Sequence, residues 1–245
     1  MLKKEELEKV IIANKIVAKV NKELQEFSKV GMTLLELDSK ARDIIIEEGG
    51  TPAFFNYQGF PKNVCISVNE ALIHGVPNGY KLKDGDLVSI DTGVNYKGYV
   101  GDSAISFQVG KKTVEAQKII SAAWETLNSA LEILKPGIKT GDLGYAMETK
   151  AKNLGYEVIR DFTGHGIGKS LHEDPRIPCY GKPGKGSVIK EGQVICIEPM
   201  LMTDTTGYTT DVFDGWTIKS DNLKLTAHVE HALLITADGY KILDK

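Results

Sequence analysis

Two histidines lie in the glycine-rich segment FTGHGIGKSLHEDP, residues 162–175. His165 and His172 are seven positions apart, among three glycines, and Pro175 ends the segment. Glycine and proline at this density predict a loop rather than a helix. A histidine between glycines is, on its own, more often a loop residue than a ligand. Imidazole nevertheless binds transition metals and exchanges protons near neutral pH, so both histidines become candidates if acids lie beside them.

Two aspartates flank a predicted hairpin in IDTGVNYKGYVGDSAISF, residues 90–107. Asn95 and Gly98 suit the first and fourth positions of a type I turn. With the turn centred between them, Asp91 and Asp102 face each other across the ladder, with Cβ atoms about 4.5–5.5 Å apart. Two carboxylates that close repel unless a cation lies between them. A register shifted by one residue, or one aspartate facing solvent, remains an alternative.

The chain contains an internal repeat. Apolar residues at three- and four-residue steps predict helices over residues 5–27 and 113–134, and each is followed by a second helix, with Gly49 and Gly155 in equivalent places at an offset of 106. LKDGDLVSID (82–91) then resembles IKEGQVICIE (189–198) at an offset of 107. We therefore predict one α+β domain, residues 1–245, made of two pseudo-symmetric helix–helix–strand halves. The halves span 1–108 and 109–245, with two joined antiparallel half-sheets and helices on one side.

The repeat predicts where four acids meet. Asp91 aligns with Glu198, and Asp102 aligns with Glu230 in TAHVEHALLIT. Pseudo-symmetry then brings the four carboxylates together, which is strongly destabilising unless divalent cations neutralise them. Glu198 could instead mark the exit of its strand into solvent. Hard oxygen ligands with one imidazole favour transition metals, and His165 is the best candidate for that imidazole.

The other two histidines near Glu230 are separated by strand alternation. His228 shares the face of Glu230 and is expected to orient a ligand from behind. His231 points to the opposite face and is expected to be structural.

Composition narrows the classes of protein. The chain has 42% hydrophobic and 26% charged residues and a net charge of −3, which argues against a nucleic-acid surface. No apolar run reaches the roughly 18 residues of a membrane span. The first ten residues, MLKKEELEKV, do not form a signal peptide. Three scattered cysteines fit reduced thiols, so we expect a cytoplasmic protein without a disulfide framework.

Several motifs together resemble one enzyme family. FTGHGIGKSLHEDP, VNEALIHGVP (68–77), IDTGVNYKGYVGDS, IEPM (197–200) and VEHALLIT occur in the order and spacing of type I methionine aminopeptidases. The resemblance covers essentially the whole chain. It implies the pita-bread fold, which creatinase, prolidase and aminopeptidase P share, and it agrees with the internal repeat.

The resemblance also implies a site and a reaction. The implied ligands of two divalent ions (Co, Mn, Fe, Zn or Ni) are Asp91, Asp102, His165, Glu198 and Glu230, with Asp102 and Glu230 bridging. A hydroxide activated by the two ions attacks the first peptide bond of a methionyl peptide or nascent chain that has a small second residue. Glu198 would accept and return the proton, His172 would bind the developing oxyanion, and His74 would contact the scissile amide nitrogen. The glycines around His165 are expected to let the backbone pass close to metals and substrate.

The family also implies an apolar methionine pocket. Its matching residues are Tyr57, Phe60, Cys65, His74, Leu171 and Trp216, and His172 is implied to bind substrate beside them. Phe60 and Leu171 stand where the family often has Tyr and Phe, Phe54 where it often has a small residue, and Lys169 where it often has Arg. We expect methionine selectivity to survive with an altered pocket shape and a narrower entrance.

Three rival interpretations remain open from the sequence. They are a proline-specific peptidase of the same fold, a non-catalytic pita-bread binding protein, and a generic α+β domain whose acids face solvent. The partners expected under the main interpretation are methionyl peptides and nascent chains, without nucleic acid or membrane. Transient ribosome contact through the catalytic domain and a monomeric state are also expected.

Overall fold

We describe the protein from a computed structural model, which covers residues 2–203 and 207–245. Its α-helices are α1 (Lys4–Phe27), α2 (Leu34–Glu47), α3 (Val114–Leu131) and α4 (Thr140–Asn153). The first strands are β1 (Thr51–Pro52), β2 (Cys65–Val68), β3 (Ala71–Ile73), β4 (Leu87–Tyr96) and β5 (Tyr99–Gln108), and a short 3₁₀ turn spans Tyr57–Gly59. The later strands are β6 (Glu157–Val158), β7 (Thr163–Gly166), β8 (Glu173–Pro178), β9 (Val194–Ile197), β10 (Met200–Met202), β11 (Tyr208–Thr210), β12 (Ile218–Ser220), β13 (Ala227–His228), β14 (His231–Thr236) and β15 (Gly239–Ile242).

The helices begin and end close to where the sequence predicts. Thr33 caps α2 by accepting a hydrogen bond from the backbone amide of Glu36, and the Glu36 carboxylate accepts one from the backbone amide of Thr33. Thr113 caps α3 in the same way through the backbone of Ala116. Within the described residues, no helix combines the length and hydropathy that crossing a membrane requires.

The four predicted acids lie on or next to strands of two antiparallel sheets. In the first half, β4 pairs with β5 along one edge and with β1 and β2 along the other. In the second half the strand order is β15-β14-β9-β7-β8. The sheets meet where the backbone amide of Glu230 donates to the carbonyl of Ala104 at 2.9 Å. Residues that follow or precede the inner strands of both sheets therefore face one another at this junction.

Each helix pair packs on the sheet of its own half. Val17, Val20 and Leu37 of the first pair form one buried cluster with residues of β2, β4 and β5. Ile119 and Leu127 belong to a second cluster, with residues of α4, β9 and β14. The two predicted helix–helix–strand halves, with mixed helices and antiparallel sheet, are confirmed.

The predicted register of the β4–β5 hairpin is wrong. Tyr96 pairs with Tyr99, so the loop is Lys97–Gly98, and both loop residues have positive φ, 52° and 82°. Two-residue loops of this kind match the right-handed twist of the strands, whereas a type I turn would splay them. Asp91 consequently pairs with Ala104, and Asp102 pairs with Gly93. The two aspartates share a face but lie diagonally rather than directly opposite.

Candidate metal centre and active site

The elements at the sheet junction gather the predicted acids. Asp91 and Asp102 lie within β4 and β5, Glu198 follows β9, and Glu230 precedes β14. Strand β7 places His165 beside Cys196 of β9. One cleft of about 660 Å³, including its open mouth, is lined by Phe54, Tyr57, Gln58, Phe60, Cys65, His74, Asp91, Asp102, His165, Leu171, His172, Glu198, Trp216 and Glu230. All the residues predicted as metal ligands, catalysts or pocket wall therefore line the same cleft.

His165 is a neutral imidazole with one nitrogen free to bind a cation. Burial lowers the pKa of His165 to about 4. Its Nδ1 lies 2.9 Å from the carbonyl oxygen of Gly166, which can only accept, so Nδ1 carries the proton. Its Nε2 lies 3.5 Å from Glu198 Oε1 and 3.8 Å from Asp102 Oδ2, which is too far for hydrogen bonds. The lone pair of Nε2 is thus directed toward the carboxylates of Asp102 and Glu198, and neither carboxylate touches the nitrogen.

The carboxylates are buried and incompletely paired. Burial raises the pKa of Asp102, Glu198 and Glu230 well above the usual range, and neighbouring acids raise it further. Burial also raises the pKa of Asp91. Asp91 Oδ1, Asp102 Oδ1 and Glu230 Oε1 are buried without a hydrogen-bond partner among the described residues. Unpaired carboxylate oxygens beside a neutral imidazole are the donor set that a divalent transition-metal ion prefers, so the residues fit such ions.

Among the described residues, two overlapping groups of side chains could hold a metal ion, and the donor atoms of each group lie within 4.8 Å of one another. One contains Asp102, His165, Cys196 and Glu230, and the other contains Glu198, His228 and Glu230. Asp91 belongs to neither group, although it lines the same cleft. Cys196 is not among the predicted ligands, yet alternation places it two positions before Glu198 on the same strand face. That spacing could have identified it.

The two remaining histidines beside Glu230 lie as the alternation of the strand predicts. Nε2 of His228 is 3.5 Å from Glu198 Oε2, behind that carboxylate. Nδ1 of His231 is 2.7 Å from Asp244 Oδ2, away from the cleft.

His172 and His74 occupy the cleft wall next to the acids. The His172 ring packs edge-on against His165, with centroids 4.4 Å apart, and its Nδ1 lies 2.8 Å from the Tyr57 hydroxyl. His74 has a positive φ of 55°, a strained backbone conformation for a non-glycine residue. Its ring contacts the Phe162 ring edge-on, with centroids 5.1 Å apart. No pattern in the sequence indicates Phe162 as a residue of the site. Burial lowers the pKa of both histidines, that of His74 to about 4, so both are neutral near pH 7.

Aromatic and aliphatic side chains close the cleft beside the acids. Phe60 meets Trp216 edge-on at 5.3 Å, and Leu171 and Cys65 are buried in the same cluster. Phe54 occupies the space over Gly93, where a Cβ atom would lie 2.3 Å from its ring. The larger residue at position 54 therefore fits because position 93 has no side chain.

The glycines around His165 allow close packing of the backbone. A Cβ atom on Gly164 would lie 2.4 Å from the carbonyl oxygen of Cys196, and one on Gly166 would lie 2.3 Å from that of Asp174. Both glycines therefore admit the backbone of neighbouring chain segments. The pairing of β7 with β8 is irregular between Gly164 and Gly166. On its other side, His165 pairs with Cys196 of β9.

Comparison with known proteins assigns the chain to a class. The sequence pattern of metallopeptidase family M24 matches residues 8–237, and the chain belongs to this family. It has the pita-bread fold of these enzymes.

Individual members of this family show which of its enzymes the chain resembles. A methionine aminopeptidase of Mycoplasma capricolum subsp. capricolum is 43% identical over 98% of this chain and 96% of its own length. The crystal structure of methionine aminopeptidase from Rickettsia prowazekii is 33% identical and superposes with a TM-score of 0.97, covering 100% of this chain and 99% of that one. Prolidase from Pyrococcus furiosus, 29% identical, has a TM-score of 0.82 and is covered over only 64% of its length.

Proposed function

We propose that the protein is a metal-dependent aminopeptidase. It hydrolytically removes methionine from the N-terminus of peptides and nascent chains whose second residue is small. The observation that carries the proposal is the neutral imidazole of His165, with Nε2 directed at Asp102 and Glu198, at the base of an apolar cleft. Near-complete coverage of methionine aminopeptidases, against partial coverage of a prolidase, supports methionine over proline specificity.

Five residues would hold two divalent ions. They are Asp91, Asp102, His165, Glu198 and Glu230. Divalent cations bound there supply Lewis acidity, which polarises a carbonyl and lowers the pKa of bound water. The same positive charge would hold these carboxylates ionised at neutral pH.

Glu198 is the residue that moves the proton. Its carboxylate is buried against His165 on one side and His228 on the other, each at 3.5 Å. The carboxylate lines the cleft beside the proposed ligand His165, where it can accept a proton from a bound water. We assign it the acceptance of a proton from the attacking water and its delivery to the leaving amine.

His172 and His74 contact the peptide. The Tyr57 hydroxyl, 2.8 Å from Nδ1 of His172, donates to that nitrogen when the imidazole carries its proton on Nε2. Nε2–H is then a donor for the oxygen that gains negative charge in the transition state. His74, which is neutral and packs between Phe162 and Trp216, is assigned to the scissile amide nitrogen.

The apolar side chains select methionine. Burying an unbranched thioether side chain against such surfaces is favoured by about 25 cal/mol for each Å² removed from water. The wall residues assigned to this pocket are Tyr57, Phe60, Cys65, His74, Leu171 and Trp216. Phe60 and Leu171 keep the pocket apolar at positions where the family often has Tyr and Phe, respectively.

We further propose that residues 1–245 act as a single catalytic domain, as a monomer in the cytoplasm. The support is the cleft itself, whose walls come from both halves, and three cysteines that are all buried and free. Contact with the ribosome would be transient and would use the catalytic domain. Sedimentation of the purified protein, alone and with ribosomes, tests the monomer and the contact.

One assay tests the function. Chelator-treated protein receives Mn²⁺ or Co²⁺ and is offered Met-Ala-Ser or an Ala-Pro peptide, and free amino acids are measured. We expect methionine from the first peptide and no product from the second. Asp102→Asn should abolish turnover, whereas Asp238→Asn, at an exposed site in a distant turn, should not. Turnover of the Ala-Pro peptide alone, or none with any metal, would overturn the proposal.

A further inference from the structure

Three buried polar residues form a hydrogen-bonded group behind the acids of the cleft. Ser103, His231 and Asp244 are 1%, 5% and 9% exposed. The Asp244 carboxylate accepts from Ser103 Oγ at 2.8 Å and from His231 Nδ1 at 2.7 Å through Oδ2, and from the backbone of Ala232 at 3.1 Å through Oδ1. We call Ser103, His231 and Asp244 the latch. None of the three lines the cleft.

The latch is connected to the cleft through the chain. Ser103 follows Asp102 in β5, and His231 follows Glu230 at the start of β14. Because successive side chains of a strand point to opposite faces, the latch lies on the reverse side of the two carboxylates. Ser103 Oγ also lies 3.0 Å from the carbonyl oxygen of Glu230. Its single proton is therefore shared between that oxygen and Asp244.

The latch joins the two halves of the pseudo-repeat. Ser103 belongs to the first half, whereas His231 and Asp244 belong to the second. At the same place, the backbone amide of Glu230 donates to the carbonyl of Ala104. The His231 ring packs against Trp124, with centroids 5.1 Å apart, which fixes its position further. Asp102 and Glu230 thus come from different sheets. The Asp244 carboxylate links the residues that follow them, Ser103 and His231.

We propose that Asp244 is a positioning residue, which fixes the relative placement of Asp102 and Glu230 and so sets the affinity for the divalent ions that they hold. The inference rests on the proposed function of these two acids as metal ligands. A buried carboxylate costs desolvation energy, and a packed apolar side chain would fill the same space without that cost. Three donors converging on it from both halves specify one arrangement of the ligand-bearing strands.

Metal affinity, measured independently of activity, tests the latch. We would titrate chelator-treated protein with Mn²⁺ by calorimetry and by competition with a fluorescent chelator. Asp244→Asn and Ser103→Ala should each weaken Mn²⁺ binding about 10-fold or more, as removal of groups behind metal ligands does. Ser103→Thr, which keeps the hydroxyl, should restore affinity. Asp238→Asn is the matched control, since it removes an exposed carboxylate from the same terminal hairpin.

Kinetics separate positioning from a merely structural role. At subsaturating Mn²⁺, both latch variants should lower kcat for Met-Ala-Ser, with KM for the peptide unchanged, because no latch residue lines the cleft that would hold the peptide. If both variants bind Mn²⁺ within twofold of the unmodified protein while melting at lower temperature, the latch is only structural and the proposal is overturned. If the unmodified protein binds no Mn²⁺, the proposed metalloenzyme function fails instead.

Discussion

With its cations removed by a chelator, the protein should show a free energy of unfolding that falls as pH rises from roughly 6.5 to 8. Burial, and then neighbouring negative charge, raises the pKa of Asp102, Glu198 and Glu230 well above the usual range. Without cations, the folded protein therefore retains protons that the unfolded chain has already released. Because the folded state binds more protons, the free energy of unfolding falls as pH increases.

The pH window is set by the other buried groups. Burial lowers the pKa of His74 and His165 to about 4, so their protonation favours the unfolded state only below roughly pH 6.5, the ordinary histidine pKa. Burial raises the pKa of Cys65 and Cys196, so thiol ionisation in the unfolded chain adds a further loss of stability above roughly pH 8. Between these limits the slope comes from those of the three carboxyls that the folded protein still holds protonated.

Each retained proton gives a slope of about 1.4 kcal/mol per pH unit. For a protein of this size, that corresponds to a fall in Tm of roughly 3–6 °C per pH unit. Bound cations ionise the carboxylates in the folded state and remove the slope. Scanning calorimetry at several pH values, with EDTA or with saturating Mn²⁺, should therefore show a Tm difference that widens with pH.

A variant sharpens the assay. Glu230→Gln removes one of the titrating carboxyls, so the slope in EDTA should become shallower, whereas Asp238→Asn should leave it unchanged. Parallel Tm curves with and without metal, or a chelated protein that gains stability between roughly pH 6.5 and 8, would refute the reasoning, because proton retention by buried acids permits neither.

Three further changes have defined outcomes. Glu198→Gln should lower kcat by about 10²-fold or more, measured at saturating Mn²⁺, and a smaller loss would exclude it as the proton acceptor. Phe54→Ala should raise kcat/KM for Met-Val peptides relative to Met-Ala by about 10-fold, since it opens the cleft above Gly93; an unchanged ratio would show that Phe54 does not limit the second residue. Gly101→Ala places a Cβ atom 2.6 Å from the backbone nitrogen of Asn14 and should cost about 1–3 kcal/mol in denaturant unfolding, whereas Gly79→Ala, which meets nothing within 4 Å, should be neutral.

The features predicted correctly from sequence are those with a local or repeated signal. Apolar periodicity and the positions of glycines located all four helices, and the offset repeat predicted two halves with matching strands. Because Asp91 aligns with Glu198, and Asp102 with Glu230, the repeat also led to the cleft at the sheet junction. These inferences need only the chain's own periodicity, which tertiary context did not override here.

The features that sequence did not predict depend on distant partners. The latch joins Ser103 to Asp244, 141 positions later, and no local pattern relates the two. Phe162 likewise contacts His74, which lies far from it in the chain. Such contacts exist only once the two sheets have met, so a single sequence carries no periodic trace of them.

The error in the hairpin register is informative about the site. The sequence rule favours Asn or Asp before glycine in a two-residue loop, and here Lys97 takes the left-handed conformation instead. In the predicted register, Asp91 and Asp102 would be directly opposed, about 4.5–5.5 Å apart at Cβ, where two carboxylates repel most strongly. In the observed register they are diagonal neighbours, typically about 7–8 Å apart. That wider Cβ spacing relieves the direct opposition of the two side chains, whose carboxyl groups share a hydrogen bond. Gly93, opposite Asp102, leaves room for Phe54. The loop conformation of Lys97 thus sets both the spacing of two proposed ligands and the shape of the pocket beside them.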